Sequence, residues 1–159
     1  METKQKLFIV GIDPGKNGGI VSITNGRITD ITKMPPTPED LVNHFLYLGF
    51  PNQPLGIKSY VIIENVHSMP TDGAKSAFSF GKQLGNIEGV LASFSIKPYR
   101  VSPQEWQAYF KLKRDSDESK YDYKKRIKSK AISLSKTKKL SLETADAYLI
   151  ALWYHKTSK

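Results

Sequence analysis

The chain has 159 residues, 39% of them hydrophobic, which is enough for one domain with a buried core. It has no cysteine, so disulfides and thiolate metal sites are excluded, and neither its polar first six residues nor any apolar run resembles a signal or a membrane span. We therefore expect a cytoplasmic protein without membrane contact. The formal net charge of +9 is concentrated in residues 111–139, which hold 12 Lys and Arg against 4 Asp and Glu. Such a basic segment favours a polyanionic partner or is a solvated loop.

The first predicted element is a strand over residues 7–12, where a short apolar and β-branched run indicates burial on both faces. The strand ends at one carboxylate, Asp13, followed by a turn at Pro14 and Gly15. Strands buried on both faces lie at the centre of α/β sheets, so Asp13 would stand at the carboxyl end of a central strand. Alone, Asp13 is better explained as a turn residue or an Asx cap at the end of the strand.

Two further strands are predicted over residues 18–23 and 27–32. The Asn25-Gly26 pair between them is a strong signal for a two-residue hairpin. The first three strands therefore predict an antiparallel meander. Helical spacing follows over residues 39–48, with Thr37 as the expected N-cap.

A fourth strand, over residues 59–64, repeats the pattern of the first and also ends on a single acid, Glu64. Two buried strands that each finish with an acid are hard to explain by packing alone. If the strands are parallel neighbours, Asp13 and Glu64 lie at the same edge of the sheet, where open α/β sheets bind ligands.

A long helix is predicted over residues 74–94, in which Gly81, Gly85 and Gly89 recur every four residues. Each glycine inside a helix costs about 1 kcal/mol relative to alanine, so the stripe indicates close approach by another group. We expect tight packing against the sheet or a neighbouring helix, and the alternatives are a helix of a second copy or a nucleic-acid backbone.

A fifth strand is expected over residues 96–101, followed by a capping box from Ser102 to Glu105. Trp106 then begins an aromatic face that we assign to core packing. The basic segment splits into a polar loop and a helix over residues 121–134. That helix carries its lysines around an exposed circumference and a thin apolar stripe of Ile127, Ala131 and Leu134.

The last predicted helix, over residues 141–154, carries Glu143 and Asp146 three positions apart and so on one face. A solvent-facing acidic pair near a helix N-terminus is the simpler explanation. Together with Asp13 and Glu64, however, the pair makes four carboxylates, which suffice for two Mg²⁺ ions. We therefore predict a divalent-metal site of these four residues that hydrolyses phosphodiester bonds.

Four stretches, in order, resemble the motifs of RuvC-type Holliday junction resolvases of the RNase H-like superfamily. They are Gly11-Ile12-Asp13-Pro14-Gly15, Ile62-Ile63-Glu64, the run from Tyr99 to Trp106, and Glu143-Thr144-Ala145-Asp146-Ala147. The resemblance spans nearly the whole chain, and the compact form resembles a bacteriophage member. It implies one RNase H-like domain over residues 1–159, with an α/β fold. Its five-stranded mixed sheet would consist of the antiparallel meander of strands one to three and the parallel strands four and five, with helices on its flanks.

The resemblance also implies a homodimer that nicks four-way DNA junctions symmetrically, as a crossover junction endodeoxyribonuclease of recombination and repair, in the cytoplasm of a bacterial host. Asp13, Glu64, Glu143 and Asp146 would bind Mg²⁺, for which Mn²⁺ can substitute. Glu143 departs from the family's usual aspartate by one methylene. The family often has a junction-opening aromatic residue at the position of His67, so that role passes to Phe78 or Phe80. The candidate DNA contacts are His67, Phe78, Phe80, Lys82, Lys111, Lys113, Arg114, Lys124, Lys125 and Lys128.

Three alternatives remain open on the sequence alone. Other RNase H-like nucleases use the same acidic positions on different branched DNA or on RNA. Sugar kinases and actin-like ATPases have a similar first turn but need two such domains, which 159 residues do not accommodate. The third alternative is a junction-binding protein that holds DNA through its basic segment and has no catalytic activity.

Overall fold

Five strands and five helices are found in residues 5–67 and 73–158, which the computed structural model describes. In chain order they are β1 (Lys6–Asp13), β2 (Gly19–Thr24), β3 (Arg27–Lys33), α1 (Pro38–Tyr47), β4 (Ile57–Glu64), α2 (Ala74–Ser93), β5 (Tyr99–Val101), α3 (Pro103–Tyr109), α4 (Lys120–Ser135) and α5 (Ala145–Thr157). The sequence predicts a loop over residues 67–73, and residues 68–72 of it lie outside the described part. None of the described helices combines the length and apolar character that a bilayer crossing requires.

The strands form one mixed sheet in the order β3-β2-β1-β4-β5. The β1–β2 and β2–β3 pairs are antiparallel, whereas β1–β4 and β4–β5 are parallel. This confirms the predicted fold. Ile12 of β1 is paired with Ile63 of β4, so the next residues, Asp13 and Glu64, reach the same edge of the sheet.

Both faces of β1 are covered, which explains why its sequence is continuously apolar rather than alternating. Ile9 packs with α3, α4 and α5 on one face. Phe8, Val10 and Ile12 point to the other face, where they pack with α1 and α2. The two apolar layers hold β1 at the centre of the molecule, and with it the turn that carries Asp13.

Gly11 allows α5 to lie directly on β1. A Cβ added at this position would stand 2.1 Å from the carbonyl oxygen of Ala147 and 2.8 Å from the amide nitrogen of Ala151. Both alanines are fully buried. A side chain at residue 11 would push the helix away, so glycine in the strand and alanines in the helix bring Asp146 close to Asp13.

The last helix begins at Ala145 rather than at residue 141, which corrects the prediction. Residues 142–144 form a turn, in which Ser141 accepts a hydrogen bond from the backbone N–H of Glu143 and donates its own N–H to Thr144. These local hydrogen bonds compete with the first helical turn. Glu143 and Asp146 therefore do not share a helix face.

The predicted fifth strand is shortened at its start, because the backbone N–H of Ile96 closes the end of α2 by donating to the carbonyl of Leu91 at 2.9 Å. Pro98 has no N–H to give to the sheet, and pairing starts at Tyr99. In α4, Ile127 and Ala131 are buried as predicted, but Leu134 is 41% exposed, so the apolar stripe ends one turn early.

The glycine stripe of α2 does not pack against any part of the chain that the structure describes. A Cβ added at Gly81, Gly85 or Gly89 meets none of the described residues within 4 Å. The buried side of the helix is formed instead by Ile87, Val90 and Leu91. The expectation of tight packing against the sheet or a neighbouring helix is therefore wrong, and the stripe faces outward.

Candidate metal centre

Three acids, which we call the acidic centre, meet at the carboxyl edge of the sheet: Asp13 at the end of β1, Glu64 at the end of β4 and Asp146 in the first turn of α5. Glu64 and Asp146 are only 7% and 5% exposed. Burial and the charge of Asp146 raise the pKa of Asp13 to about 6. Burial and the charge of Asp13 raise the pKa of Glu64 to about 8. The three carboxylates therefore repel one another, and the positive charge near them is too small to balance their negative charges.

Lys124 of α4 supplies the positive charge present there. Its Nζ lies 2.5 Å from Oδ2 of Asp146. Burial lowers the pKa of Lys124, but Asp146 and Asp13 raise it more, so the ammonium form is favoured. Oδ1 of Asp146 is buried and has no hydrogen-bond partner among residues 5–67 and 73–158. One ammonium thus faces three carboxylates and leaves one buried oxygen unsatisfied.

Glu64 is held by a neutral donor from α3. Nε1 of Trp106 donates to Oε1 of Glu64 at 2.8 Å, and the indole is fully buried. The assignment of Trp106 to the core is confirmed, but its contact with an acid was not predicted. The sequence position of Trp106 was the available indication of this contact. β5 pairs with the end of β4, and Trp106 follows β5 within one helical turn.

The turn after β1 orients Asp13. The backbone N–H of Gly15 donates to Oδ1 of Asp13 at 3.5 Å, and the N–H of Gly18 donates to the carbonyl of Gly15 at 2.8 Å. A Cβ at Gly18 would stand 2.1 Å from the carbonyl oxygen of Asp13. Glycine at residue 18 therefore lets the turn fold back on itself and aim the carboxylate out of the strand.

Glu143 lies at the rim rather than in the acidic centre. It forms an ion pair with Lys33 of β3, with 3.1 Å between Nζ and Oε1. The hydroxyl of Ser141, the local backbone and Lys33 together lower the pKa of Glu143 to about 2. The Glu143 carboxylate is therefore ionised and partly exposed, and it would have to leave Lys33 in order to bind a cation.

A cleft of about 1180 Å³ opens beside Asp13. Its walls come from the β1–β2 turn, the start of α2, the start of α4 and the turn before α5, and Glu143 lies on one wall. The cleft is also lined by residues that suit a phosphate backbone and bases, namely Lys16, Lys75, Phe80, Lys120, Tyr121 and Lys124. Phe80 and Lys124 were predicted, whereas the other four were not, because they come from separate elements.

The remaining candidate DNA contacts lie outside the lining of this cleft. They are His67, Phe78, Lys82, Lys111, Lys113, Arg114, Lys125 and Lys128. Phe78 is 75% exposed on α2, which leaves it available to a partner. Arg114 donates twice to the backbone carbonyl of Glu118, at 2.8 and 3.1 Å, and so helps to order the loop before α4. Lys124 does not belong to the exposed circumference of α4, since it turns into the acidic centre.

The donor set of the acidic centre suits a hard divalent cation. Carboxylate oxygens are the ligands that Mg²⁺ prefers, and the unpartnered Oδ1 of Asp146 and the mutual repulsion of the acids both favour added positive charge. Across residues 5–67 and 73–158, no three His, Asp or Glu side chains already stand in a metal-holding arrangement. The ammonium of Lys124 lies against Asp146 instead, and it is a cation that a metal ion would have to displace from that carboxylate.

The strand order and the helices on both faces define the RNase H-like fold. Among solved structures, the chain is similar to Thermus thermophilus RuvC in complex with a Holliday junction substrate, with a TM-score of 0.60, 17% identity, and coverage of 94% of this chain and 95% of that one. A second Thermus thermophilus RuvC structure gives a TM-score of 0.58 and 17% identity over 95% of this chain and 96% of that one. No protein-family model matches the sequence, and no curated protein matches it. The likeness establishes the fold.

Proposed function

We propose that this chain is a metal-dependent endonuclease that hydrolyses phosphodiester bonds in branched DNA, with the four-way junction as its substrate. The observation that carries the proposal is the meeting of Asp13, Glu64 and Asp146 around the ammonium of Lys124, with Asp13 and Lys124 also lining a lysine-rich cleft. A buried excess of carboxylates is costly unless a cation joins it. Three acids from three separated parts of the chain therefore favour a catalytic site over a structural one.

In this proposal the acidic centre holds Mg²⁺, for which Mn²⁺ substitutes, and Glu143 joins as a fourth ligand after leaving Lys33. When bound, divalent ions supply an activated water and stabilise the leaving 3′ oxygen. The chain's own residues position the reaction. The glycine turn aims Asp13 at the cleft, and Lys124, once displaced from Asp146, is within the same cleft to neutralise a phosphate oxygen.

The DNA strand would follow the cleft that ends at Asp13. Lys16, Lys75 and Lys120 come from three different elements and line this cleft together. Phosphate contacts of this kind position a strand without reading its sequence. The solved neighbour bound to a Holliday junction supports branched DNA as the substrate class. The exposed lysines of the basic segment would contact the outer arms, and Phe78 or Phe80 would stack against an opened base pair.

Symmetric nicking of two strands requires two active sites, so we propose a homodimer. The outward-facing glycines of α2 provide a side-chain-free surface on which a second copy could approach closely. The exposed Phe78 lies on the same helix. This surface supports the proposed dimer because no part of the described molecule uses it.

The decisive experiment compares the wild-type protein with Asp13→Asn on a synthetic four-way junction in Mg²⁺. We expect Asp13→Asn to bind the junction with wild-type affinity and to lose cleavage by about three orders of magnitude, or roughly 4 kcal/mol of transition-state stabilisation. Glu39→Gln, which changes an exposed acid in α1, is the matched control and should cleave normally. Unchanged cleavage by Asp13→Asn would mean that the catalytic centre lies elsewhere.

Substrate class is tested by offering the junction, a flap and a linear duplex of the same sequence side by side. Preferential, symmetric nicking of the junction supports the proposal. Equal cutting of all three leaves a general RNase H-like nuclease, and junction binding without cutting in either Mg²⁺ or Mn²⁺ leaves a binding protein. Binding should weaken steeply with salt, because phosphate contacts release counterions.

A further inference from the structure

We propose that Trp106 is a positioning residue for the candidate metal centre. Its indole N–H holds one oxygen of Glu64 and so presets the plane of the carboxylate whose other oxygen is left for the cation. The inference rests on the proposed function, because it assigns a role toward the metal of that site. It goes further in naming a residue from a helix that contributes no acid to the centre.

The hydrogen bond between Trp106 and Glu64 is short and buried. Nε1 of Trp106 donates to Oε1 of Glu64 at 2.8 Å, the distance expected of a strong N–H to carboxylate bond. Trp106 is 0% exposed and Glu64 is 7% exposed, so water does not compete freely for the contact. A carboxylate buried to this degree is expected to need a donor, and the indole provides one.

The chemistry of the indole suits Trp106 to a positioning role. Indole has one N–H and accepts no hydrogen bond, so Trp106 neither ligates a metal nor accepts a proton from the reaction. It is also uncharged, unlike Lys124, and so does not compete with a cation for the site. A neutral, single, buried donor can orient a ligand without replacing the ion, which is the role that outer partners of metal ligands commonly play.

Trp106 is held rigidly in relation to Glu64. β5 pairs with the end of β4, where Val101 lies opposite Glu64, and the N–H of Asn65 donates to the carbonyl of Val101 at 2.7 Å. The next residue, Ser102, starts α3 through a capping box: its backbone N–H donates to the Glu105 carboxylate at 2.8 Å. The spatial connection from Glu64 across the strand pair to Val101, and from Ser102 along α3 to Trp106, is thus fixed at both steps.

The experiment measures the affinity for Mn²⁺ by calorimetry in wild type, Trp106→Phe, Trp153→Phe and Asp146→Asn, at one pH and without DNA. Removal of an outer partner commonly costs about 10- to 100-fold in metal affinity, so we expect that loss in Trp106→Phe. Trp153→Phe, the matched control, changes the chain's other tryptophan, which packs against Tyr99 and Tyr154 away from the acids, and should bind Mn²⁺ as wild type does.

A second variant separates the N–H from the ring. In a Trp153→Phe background, biosynthetic replacement of Trp106 by its benzothiophene analogue keeps the two-ring shape but puts sulfur where the N–H was. The analogue should weaken Mn²⁺ binding to a similar extent as Trp106→Phe, while circular dichroism confirms a folded protein. This arm keeps the inference testable if Trp106→Phe fails to fold.

The outcomes distinguish the inference from the function on which it rests. Wild-type Mn²⁺ affinity in the folded analogue protein, with Asp146→Asn binding none, would overturn the role of Trp106 and leave the metal centre intact. Mn²⁺ binding that is absent from wild type, or that Asp146→Asn leaves unchanged, would overturn the centre and the inference together. Weakened binding in the analogue with normal binding in Trp153→Phe supports the inference.

Discussion

Replacement of Lys124 by methionine tests whether its ammonium stands where a cation would bind. The change keeps an unbranched side chain but removes the charge 2.5 Å from Oδ2 of Asp146. Breaking a fully buried ion pair costs about 3–5 kcal/mol. The Lys124 side chain is 32% exposed while that of Asp146 is 7% exposed. Because partial exposure screens the pair, we expect a loss of about 1–3 kcal/mol of unfolding free energy in metal-free solution.

A divalent ion should reverse this loss. Without the ammonium, the acidic centre has lost its competitor, so Lys124→Met should bind Mn²⁺ more tightly than wild type does. Saturation at about 100 times the dissociation constant adds about 2.7 kcal/mol to the stability of either protein. At one fixed, sub-saturating Mn²⁺ concentration, the variant should therefore gain more than the wild type.

The assay is urea unfolding in EDTA and in Mn²⁺, with Lys128→Met as the matched control. Lys128 lies one turn further along α4, and among the described residues it pairs with no carboxylate. The control should lose little stability in either buffer. Equal destabilisation of Lys124→Met with and without Mn²⁺, or an unchanged Mn²⁺ affinity, would refute the idea that Lys124 holds the cation's position.

Two further predictions concern pH and assembly. In EDTA, the unfolding free energy should fall as the pH rises from about 5 to about 8. The pKa values of Asp13 (about 6) and Glu64 (about 8) are raised in the folded state. The folded state therefore binds more protons than the unfolded state in this range, and it loses stability as the pH rises. Urea unfolding across that range should show a clearly smaller slope in Glu64→Gln, and an equal slope would contradict the assignment. For assembly, Gly85→Arg should give a monomer in sedimentation. Within one protomer, a Cβ at residue 85 meets none of the described residues, so Gly85→Ala should stabilise the protomer by up to about 1 kcal/mol. A dimer that survives Gly85→Arg would exclude the glycine surface of α2 as the interface.

The sheet and two of its acids were predictable because the decisive information is local. An apolar run that ends in one acid indicates both a buried strand and the residue exposed at its end. Two such runs place Asp13 and Glu64 together once the strands are parallel neighbours, as β1 and β4 are. The structure adds the contact of Gly11 with Ala147 and Ala151, which brings Asp146 to the same edge.

The contacts between side chains of distant elements were not predictable in the same way. The hydrogen bond from Trp106 to Glu64 joins residues 42 positions apart and depends on the rotation of α3 about its axis. The inward direction of Lys124 depends on how α4 packs on α5, and the adjacent Lys125 is exposed. Sequence patterns show which side of a helix is apolar. They do not show which charged residue at the border of that side points into the protein.

Glu143 shows how the length of one side chain and one local turn together shape the centre. The hydrogen bonds of Ser141 with Glu143 and Thr144 delay the start of α5, so residue 143 leaves the helix face that Asp146 occupies. The extra methylene of glutamate then reaches Lys33 across the edge of the sheet. This arrangement leaves three acids around Lys124 and a fourth at the rim of the cleft, held by a lysine that is itself 69% exposed. Because an exposed ion pair contributes little, a cation at the centre could recruit Glu143 at small cost. This arrangement is therefore compatible with four ligands, although only three acids are assembled in it.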